Sequence, residues 1–574
     1  MEARPTWRWL NDKAIAAGFF FGGGLLLLLF RTIRYSIDSL WYATQMLSPY
    51  GGYHPHHLIY VPLNRQLHHW AKAIFGIEDV VLVAQMHNTF FGALGVALLY
   101  LLARNLQAPK WMAALGAACL LFSSGWWSFS TQIEVYVPAT TCLLLLIADV
   151  QLRPARAFGW TRGILQALLL ALAVLFHQTS VLFCLPLALW FWQSTGRKGI
   201  VHAVFVIGLA GLLSAGAYAW AIVQMGNALT PDGISYFVFQ YAAMDQPGWG
   251  DWHHFGPVGL FELLRSQVSM LFRQWYASRA FWVILFLLIL VGIIGGNLRA
   301  QFKSRGQTPA QDPQRALRGL LLTWVGVSFL FFWWWLPQEV EFFIGTNTPL
   351  FLLALMGSLR FMQARPTQAW RKWAMPGLTA LVIGTNVGNV WTAHFEPNDM
   401  ALDAAALDAA APDDCAILTD SGTEQYIQYS YRREAYNAMF VLMHYYDGRP
   451  IVAHEDPQKV ECYAIDAAFL LPSFKAENGK TGYDQPREWR QYIAELFKME
   501  TDTLKDGLRF HAFSATKMGE KKAIVTVHPT VSATIYPDWE AFWTALDQAL
   551  TEIGCGDKAE FLKWHLEKGK DLGK

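Results

Sequence analysis

The sequence predicts a polytopic α-helical membrane domain, residues 1–392, followed by a small soluble α/β domain, residues 393–574. Three observations lead to this fold class. The 574 residues are 54% hydrophobic and only 16% charged, whereas soluble domains carry about 25% charged residues. Nearly all the long apolar runs precede residue 393. After that position, short apolar runs alternate with helix-like polar stretches, which is typical of an α/β domain.

Eleven apolar segments are candidates for membrane-spanning helices, because a span needs about 20 predominantly apolar residues. Several are shorter, which indicates tilted or partly inserted spans. The first segment could belong to a signal peptide, but it lacks a small-residue cleavage site, and this favours an uncleaved span. The segments are 14–33, 80–103, 112–128, 133–150, 163–176, 179–193, 200–223, 280–298, 319–336, 343–362 and 374–392.

Basic residues are divided unevenly between alternate loops. Six loops together contain 18 Lys and Arg residues, whereas the intervening, longer loops contain six. By the positive-inside rule the first set is cytoplasmic, and so is the N-terminus. The long loops 34–79 and 224–279 and the whole of residues 393–574 are then extracytoplasmic. The net charge of +1 argues against nucleic acid as a partner, because no basic face is available for phosphates.

The polar segments also carry structural predictions. The two long outer loops are expected to fold as short helices on the membrane face. No internal repeat is visible, which argues against an inverted-repeat transporter. Cys415, Cys462 and Cys555 allow one disulfide and one free thiol. In the soluble domain we predict a helix over Thr423–Arg433 and strands at Cys415–Asp420, Pro450–His454, Ala467–Leu471 and Lys522–Val527.

Asp38 lies in the first outer loop, just after the first apolar segment. Ionisable residues at that depth usually line a cavity or mark a functional site. Asp38 is interpreted in two ways. Either Ser36 or Asp38 caps a helix through Leu40–Met46, or Asp38 is a general base that faces a cavity.

Three histidines, His54, His56 and His57, follow in the same loop. They could bind a divalent cation, alone or with Asp38, but their spacing matches no standard zinc site. Hydrogen bonding to phosphate or to sugar hydroxyls is favoured over a metal, and packing beneath the turn at Pro55 is the structural alternative. The sequence requires no other cofactor.

Three further acids and one more histidine are predicted at the same membrane level. Glu134 precedes the fourth apolar helix, where the helix dipole alone would favour an acid. Glu339 and Glu341 occupy a tight outer turn, and Glu341 is the predicted ligand of substrate. His177 ends an apolar segment at the outer face, either as a substrate ligand or as a core histidine.

Four arginines within the two long outer loops are candidate ligands, because positive charge on that side opposes the topology bias. A phosphate ligand would explain them, because guanidinium groups make bidentate, charge-assisted contacts with phosphate. Anchoring to lipid head groups is the alternative. The four are Arg65, Arg265, Arg273 and Arg279.

Residues 14–392 resemble the membrane glycosyltransferases of the GT-C superfamily. The resemblance is to the bacterial branch related to protein O-mannosyltransferases and lipid A aminoarabinose transferases. It rests on an acid after the first span, a His-Pro turn some fifteen residues later, and three further stretches. These are Asn88-Thr-Phe-Phe-Gly-Ala-Leu, Phe122 to Tyr136 with its Glu-Val-Tyr end, and Trp335-Leu-Pro to Glu341-Phe-Phe.

The resemblance implies an inverting enzyme in a bacterial inner membrane, in contact with membrane lipids. It would move a sugar from a polyprenyl-phosphate donor to a hydroxyl acceptor on a protein, lipid or glycan. Asp38 would be the base and Glu134 its catalytic partner, with phosphate bound by the histidines, Arg65, Arg273 and Arg279. A non-catalytic scaffold subunit and a transporter of lipid-linked substrate are the alternatives.

The first outer loop departs from the family pattern at two places. Ser39-Leu-Trp41 stands where Gly-Glu commonly follows the acid, and His56-His57 stands where the related branch often has Pro-Gly. The first departure removes a second loop acid, and both bear on the identity of the acceptor.

Overall fold

A computed structural model was used to describe the fold. It describes residues 6–48, 52–152, 158–239, 250–272, 279–303, 314–364, 373–437, 462–467, 512–518, 522–528 and 539–555. The chain divides into two compact units, residues 1–396 and 397–574. The first unit is helical and the second contains a mixed sheet.

The first unit contains a series of helices joined by short connections. Every predicted apolar segment contains one of these helices. They are α1 (Thr6–Leu29), α2 (Ile37–Leu47), α3 (Tyr60–Phe75), α4 (Val80–Asn105), α5 (Lys110–Phe122), α6 (Ser124–Thr131), α7 (Tyr136–Leu152), α8 (Trp160–Phe176), α9 (Cys184–Thr195), α10 (Arg197–Gln224), α11 (Pro231–Val238), α12 (Pro257–Leu271), α13 (Arg279–Lys303), α14 (Arg315–Trp335), α15 (Ile344–Ala364) and α16 (Ala374–Phe395).

The chain is a multi-pass membrane protein. Among the described residues, five helices are long and apolar enough to span a bilayer, and the bent pair α5 and α6 would make a sixth. Helices α7 and α8 are apolar but shorter. The total of eleven spans therefore stays a prediction. The five are Asn11–Leu29, Val80–Asn105, Arg197–Gln224, Arg315–Trp335 and Val340–Arg360.

The third apolar segment is broken into two helices by a bend of 60° at Ser123. The Ser123 backbone is extended, with φ −65° and ψ 139°, so it ends α5. The carbonyl of Phe122 accepts a hydrogen bond of 2.9 Å from Asn386 Nδ2. Because a buried carbonyl needs a partner, this amide stabilises the break. The break directs α6 and the residues after it towards the first outer loop.

Helix α4 is the central helix around which the site is built, and it packs against α1, α5 and α7. Glycines on α4 let bulky neighbours approach closely. A Cβ at Gly95 would lie 2.4 Å from the ring of Trp126, which is fully buried on α6. A Cβ at Gly92 would lie 2.3 Å from Ser130 Oγ. The absence of side chains at these glycines therefore sets the distance between α4 and α6.

The long outer loops contain the short helices that were predicted for them. The first loop holds α2, a 3-10 turn at Pro55–His57 and α3, and the second holds α11, a 3-10 turn at Trp252–His254 and α12. A further 3-10 turn, Val340–Phe343, leads into α15. These short elements carry the candidate site residues.

The second unit contains a five-stranded sheet in the order β2-β1-β3-β5-β4. The first three strands are parallel, and β5 is antiparallel to both β3 and β4. The elements are α17 (Asp399–Ala410), β1 (Cys415–Thr419), α18 (Ser421–Tyr426), a π-helical turn (Ile427–Tyr431), β2 (Ala435–Asn437), β3 (Cys462–Asp466), β4 (Ala512–Lys517), β5 (Ala523–His528) and α19 (Trp539–Glu552).

Predictions for this unit have mixed outcomes. The strands at 415–420 and 522–527 are confirmed to within one residue. The strand predicted at Ala467–Leu471 is wrong, because the strand is Cys462–Asp466 and Ala467 follows it. This strand is selected by pairing with neighbours on both sides rather than by an apolar composition. Residues 468–471 and Pro450–His454 lie outside the described residues.

The helix predicted over 423–433 is shorter than expected. Helix α18 and the π-helical turn end at Tyr431, and Arg432 has a left-handed backbone with φ 58°. The cysteines agree with the prediction of one disulfide and one free thiol. Cys415 is disulfide-bonded, and Cys555 is a free, buried thiol.

Candidate active site

Helix α2 presents Asp38 in its first turn. Ser36 caps the helix, because its Oγ accepts a hydrogen bond of 3.0 Å from the backbone N–H of Ser39. The cap interpretation is thus confirmed for Ser36 and wrong for Asp38. The carboxylate of Asp38 has no capping role and is exposed, which leaves it accessible to a ligand.

Glu134 lies in the connection between α6 and α7 and is 1% exposed. Its Oε1 accepts a hydrogen bond of 2.7 Å from the hydroxyl of Ser36. Ser39 Oγ donates to the neighbouring carbonyl of Ile133 at 3.1 Å. The two serines therefore tie the first turn of α2 to this connection. These two hydrogen bonds therefore bring Asp38 and Glu134 close together.

The polar side chains of α4 hold the same connection from the other side. Asn88 Nδ2 donates to the carbonyl of Glu134 at 2.6 Å, and Asn88 Oδ1 accepts from the hydroxyl of Tyr60 at 3.0 Å. Gln85 Nε2 donates to the carbonyls of Thr32 and Thr131 at 2.9 and 2.8 Å. Such networks in an apolar interior are rigid when their members are paired. The backbone around Glu134 is consequently fixed.

A third acid approaches from the turn before α15. Glu341 Oε1 accepts a hydrogen bond of 2.8 Å from the hydroxyl of Tyr136, the first residue of α7. Helix α12 is joined to this turn, because Ser266 Oγ donates to the carbonyl of Pro337 at 2.9 Å. Asp38, Glu134 and Glu341 are therefore brought together by three separate parts of the chain.

The three acids interact electrostatically. Burial, and then the charges of Asp38 and Glu341, raise the pKa of Glu134 well above its ordinary value of 4.5, although the Ser36 hydroxyl opposes this. Desolvation by the surrounding protein also raises the pKa of Asp38, despite its accessible carboxylate. Like charges at close range disfavour simultaneous ionisation. The buried Glu134 is thus the better proton carrier, and the accessible Asp38 is the better base.

The three loop histidines pack into one cluster. The rings of His54 and His57 stack with centroids 4.0 Å apart and planes 6° from parallel. His57 Nε2 bonds to the hydroxyl of Tyr42 at 3.0 Å. Burial lowers the pKa of His54 to about 3 and that of His56 to about 4, and it lowers the pKa of His57 as well. The cluster is therefore neutral at physiological pH.

His177 lies beside this cluster, behind Tyr136. The ring centroids of His177 and Tyr136 are 4.6 Å apart, and His177 Nδ1 forms a hydrogen bond of 2.6 Å with Thr179 Oγ1. Burial lowers the pKa of His177 to about 3. His177 supports the tyrosine that bonds Glu341, and it lines a small cavity together with Tyr136 and Phe342.

The geometry gives little support to a metal at the histidines. Parallel stacked imidazoles direct their nitrogen lone pairs outwards within separate planes, so His54 and His57 cannot converge on one ion. No group of three or more His, Cys, Asp or Glu side chains in the described residues is arranged to hold a metal. The polar edges of the rings are instead suited to hydrogen bonds with hydroxyl groups.

Of the arginines predicted to bind phosphate with the histidines, Arg65 is the one whose side chain the structure describes. Arg65 donates to the carbonyls of Gln45 and Met46, at 2.7 and 3.3 Å, at the end of α2. Arg273 lies outside the described residues, and Arg279 begins α13 without a described side chain. The role of these three in binding substrate stays a prediction.

Arg265 on α12 is the arginine that the structure relates to the acids. It forms an ion pair of 2.5 Å with Glu262, and both side chains are about one third exposed. Its charge also acts on Glu339, whose pKa is raised by burial and by Asp38 and lowered by Arg265. The sequence identified Arg265 only as one of four outer arginines.

Several site residues were not assigned a role in the site from the sequence. Ser36 was predicted only as a helix cap, since a serine just before a helix is a typical cap. Asn88 has one too, because an amide inside an apolar span usually has a partner. Tyr42 and Tyr136 have no comparable signal, because tyrosines are common at membrane interfaces.

The buried Glu134 predicts a pH-dependent stability difference. Its folded-state pKa is raised, so the folded state holds the proton more tightly than the unfolded state does. The free energy of unfolding should therefore fall as pH rises above about 4.5. In Glu134→Gln the side chain at this position is uncharged at every pH. The thermal stability of this variant relative to the wild type should therefore improve from pH 5 to pH 8.

Melting curves in detergent measure this difference. Glu78→Gln, at an exposed glutamate of the first long loop, is the control. A stability difference that is independent of pH would contradict it.

Two solved structures are among those to which this chain is similar. One is the oligosaccharyltransferase of Archaeoglobus fulgidus in complex with zinc and sulfate, with a TM-score of 0.47 and 13% identity over 87% of this chain and 72% of that chain. Another is ArnT from Cupriavidus metallidurans bound to undecaprenyl phosphate, with a TM-score of 0.49 and 12% identity over 92% of this chain and 99% of that chain.

No protein-family model matches the sequence, and no curated protein matches it significantly. At identities of 12% and 13% and TM-scores of 0.47 and 0.49, these likenesses carry no argument about the chemistry of this chain. Because one fold hosts many activities, the chemistry has to be argued from the residues of the site.

Proposed function

We propose that this protein is an inverting glycosyltransferase that uses a polyprenyl-phosphate sugar and a hydroxyl acceptor at the outer face of the membrane. The observation that carries the proposal is an accessible carboxylate, Asp38, beside the buried Glu134 and the half-buried Glu341. A base at the surface with a second acid behind it is the arrangement that proton removal from a hydroxyl requires.

The reaction is a single displacement. The acceptor oxygen attacks the anomeric carbon of the donor sugar while its proton passes to Asp38. A new glycosidic C–O bond forms, the C–O bond to phosphate breaks, and polyprenyl phosphate leaves with the electron pair. The attack from the opposite face inverts the anomeric carbon, so no enzyme nucleophile is needed.

Arg265 is suited to stabilise the leaving phosphate. Positive charge at the departing oxygen lowers the barrier, because negative charge develops there in the transition state. The ion pair with Glu262 orients the guanidinium, and its influence on Glu339 relates it to the acids. Beyond the end of α12 lies an apolar cavity of about 90 Å³, lined by residues including Leu271 and Leu350, which is suited to isoprene units.

Two observations support an outer-face location. Basic residues are concentrated in the alternate loops, which supports an extracytoplasmic Asp38 loop. The disulfide at Cys415 in the second unit is typical of an oxidising compartment. A sugar donor in that compartment has to be carried by a lipid, because nucleotide sugars do not reach it.

The proposal is tested with membranes that contain the full chain and a labelled polyprenyl-phosphate sugar. We expect label to pass to an acceptor and polyprenyl phosphate to be released in equal amount. No transfer, together with stable co-purification of other membrane subunits, would favour a scaffold. Accumulation of label inside vesicles without a covalent product would favour a transporter.

Loss of the Arg265 charge should weaken donor binding. Hydrogen bonds to a charged group are worth about 1.5–3 kcal/mol, so Arg265→Gln should raise the donor KM by about 10- to 100-fold. The acceptor KM should change little. Lys72→Gln is the matched control, since Lys72 is an outer cation paired with Glu78. An unchanged donor KM in Arg265→Gln would show that the phosphate is bound elsewhere.

A further inference from the structure

The two departures of the first outer loop from the family pattern lie side by side in the structure. Trp41 comes from the first departure, and His57 comes from the second. The indole of Trp41 lies 5.5 Å from the ring of His54 and 6.4 Å from that of His57, with interplanar angles of 79° and 76°. The indole of Trp41 thus stands nearly perpendicular to the stacked imidazoles of His54 and His57. We call these three rings the aromatic corner.

This aromatic corner is next to the proposed base. Residues three and four apart share one face of a helix, so Asp38 is on the same face of α2 as Trp41 and Tyr42. The charge of Asp38 acts on Tyr42, which confirms their proximity. A ligand that lies against Trp41 is therefore within reach of the carboxylate.

The corner is partly open and is firmly supported from behind. Trp41 and His54 are half-buried, whereas His57 and Tyr42 are buried. The bond from the Tyr42 hydroxyl to His57 Nε2 orients the inner imidazole. The hydroxyl of Tyr218 on α10 donates to the carbonyl of Pro55, which holds the histidine turn. Flat, rigid, half-exposed rings are suited to binding because little conformational entropy is lost.

The hydrogen-bonding capacity of His54 is also defined. Its Nδ1 accepts from the backbone N–H of His56 at 3.3 Å, so in the neutral ring the proton is on Nε2. Burial lowers the pKa of the ring, which keeps it neutral. The corner therefore offers neutral, apolar ring faces beside the accessible carboxylate of Asp38.

We propose that Trp41 and His54 bind the acceptor, and that the acceptor is an uncharged pyranose of a glycan or glycolipid. This inference rests on the proposed function and narrows the acceptor class. The C–H face of a pyranose packs against the indole of Trp41, with the edge of the sugar against the His54 ring. A hydroxyl of the sugar then faces Asp38. The carboxylate of Asp38 disfavours an anionic sugar, and a short Ser or Thr side chain offers no ring to pack on.

Binding is tested by ligand-detected NMR on the purified full chain in detergent, with methyl glucopyranoside and methyl glucuronide as probes. We expect Trp41→Leu to weaken binding of the neutral probe about fivefold, because leucine offers no flat ring face for the sugar to pack on. Trp41→Phe should bind within about twofold of the wild type. Trp70→Leu, at an exposed indole on α3, is the control.

Kinetics distinguish this inference from the proposed function. In an active enzyme, Trp41→Leu should raise the acceptor KM about fivefold and leave the donor KM unchanged. A raised donor KM, equal affinity for the glucuronide, or equal transfer to a serine peptide would overturn the inference while the proposed function stands. Trp41-dependent binding of the neutral probe without any transfer by the wild type would overturn the proposed function alone.

Discussion

Asp38→Asn is expected to lower kcat for sugar transfer by about 10³-fold, because a positioned general base contributes roughly 10²–10⁴ to the rate. The amide has nearly the shape of the carboxylate but cannot accept the acceptor proton. Asp38 is exposed and does not cap α2, so folding should be unaffected. Transfer from a labelled polyprenyl-phosphate sugar and a melting curve measure the two effects.

The matched control is Asp232→Asn. Asp232 is also an exposed aspartate in the first turn of an outer helix, here α11, and its replacement should leave transfer unchanged. Normal transfer by Asp38→Asn would show that another group is the base. The pH profile adds a second test. The pKa of Asp38 is raised above 3.8. As the pH is lowered, wild-type kcat/KM should therefore decline with a midpoint above pH 3.8.

Gly95→Ala is expected to destabilise the helical unit by about 2–3 kcal/mol, the usual cost of overpacking a core. The new Cβ would lie 2.4 Å from Trp126 Cζ2 and 3.0 Å from Thr141 Oγ1, and both side chains are buried. Trp126 also donates from Nε1 to the carbonyl of Gly92 at 3.2 Å, which resists its displacement. Thermal melting in detergent measures the loss.

The same substitution should lower activity as well, because α6 leads directly into the connection that carries Glu134. Gly216→Ala on α10 is the matched control, since a Cβ there meets no atom within 4 Å. Alanine is favoured over glycine in a helix by about 1 kcal/mol, so the control should be neutral or stabilising. Equal melting temperatures for the two variants would contradict the close approach of α4 and α6.

The sequence was sufficient for much of the helical unit. Apolar runs of about 20 residues have few alternatives in a bilayer, because the hydrocarbon region cannot pair backbone groups. The position of Asp38 after α1, and the cap at Ser36, were also predictable from local patterns. The break at Ser123 was not, since it depends on Asn386, which is 264 residues away from Phe122 in the chain.

The candidate site shows the same division. Asp38 and Glu134 were both identified as polar residues beside apolar runs. Their connection through Ser36 joins residues 98 positions apart, and no local pattern predicts it. Tertiary packing brings the charge of Arg265 close enough to act on Glu339. It also places Arg65 against the carbonyl of Gln45, to which it donates a hydrogen bond.

The sequence by itself determined the class of fold and the kinds of chemical group at the outer end of the bundle. Hydrophobic length and scarcity of charge are properties of segments, and they act before any segment meets another. The tertiary structure alone decided which acid is accessible, which histidines are neutral, and that Trp41 forms a corner with His54. Burial and ring contacts depend on the neighbours of a side chain, and those neighbours come from distant parts of the chain.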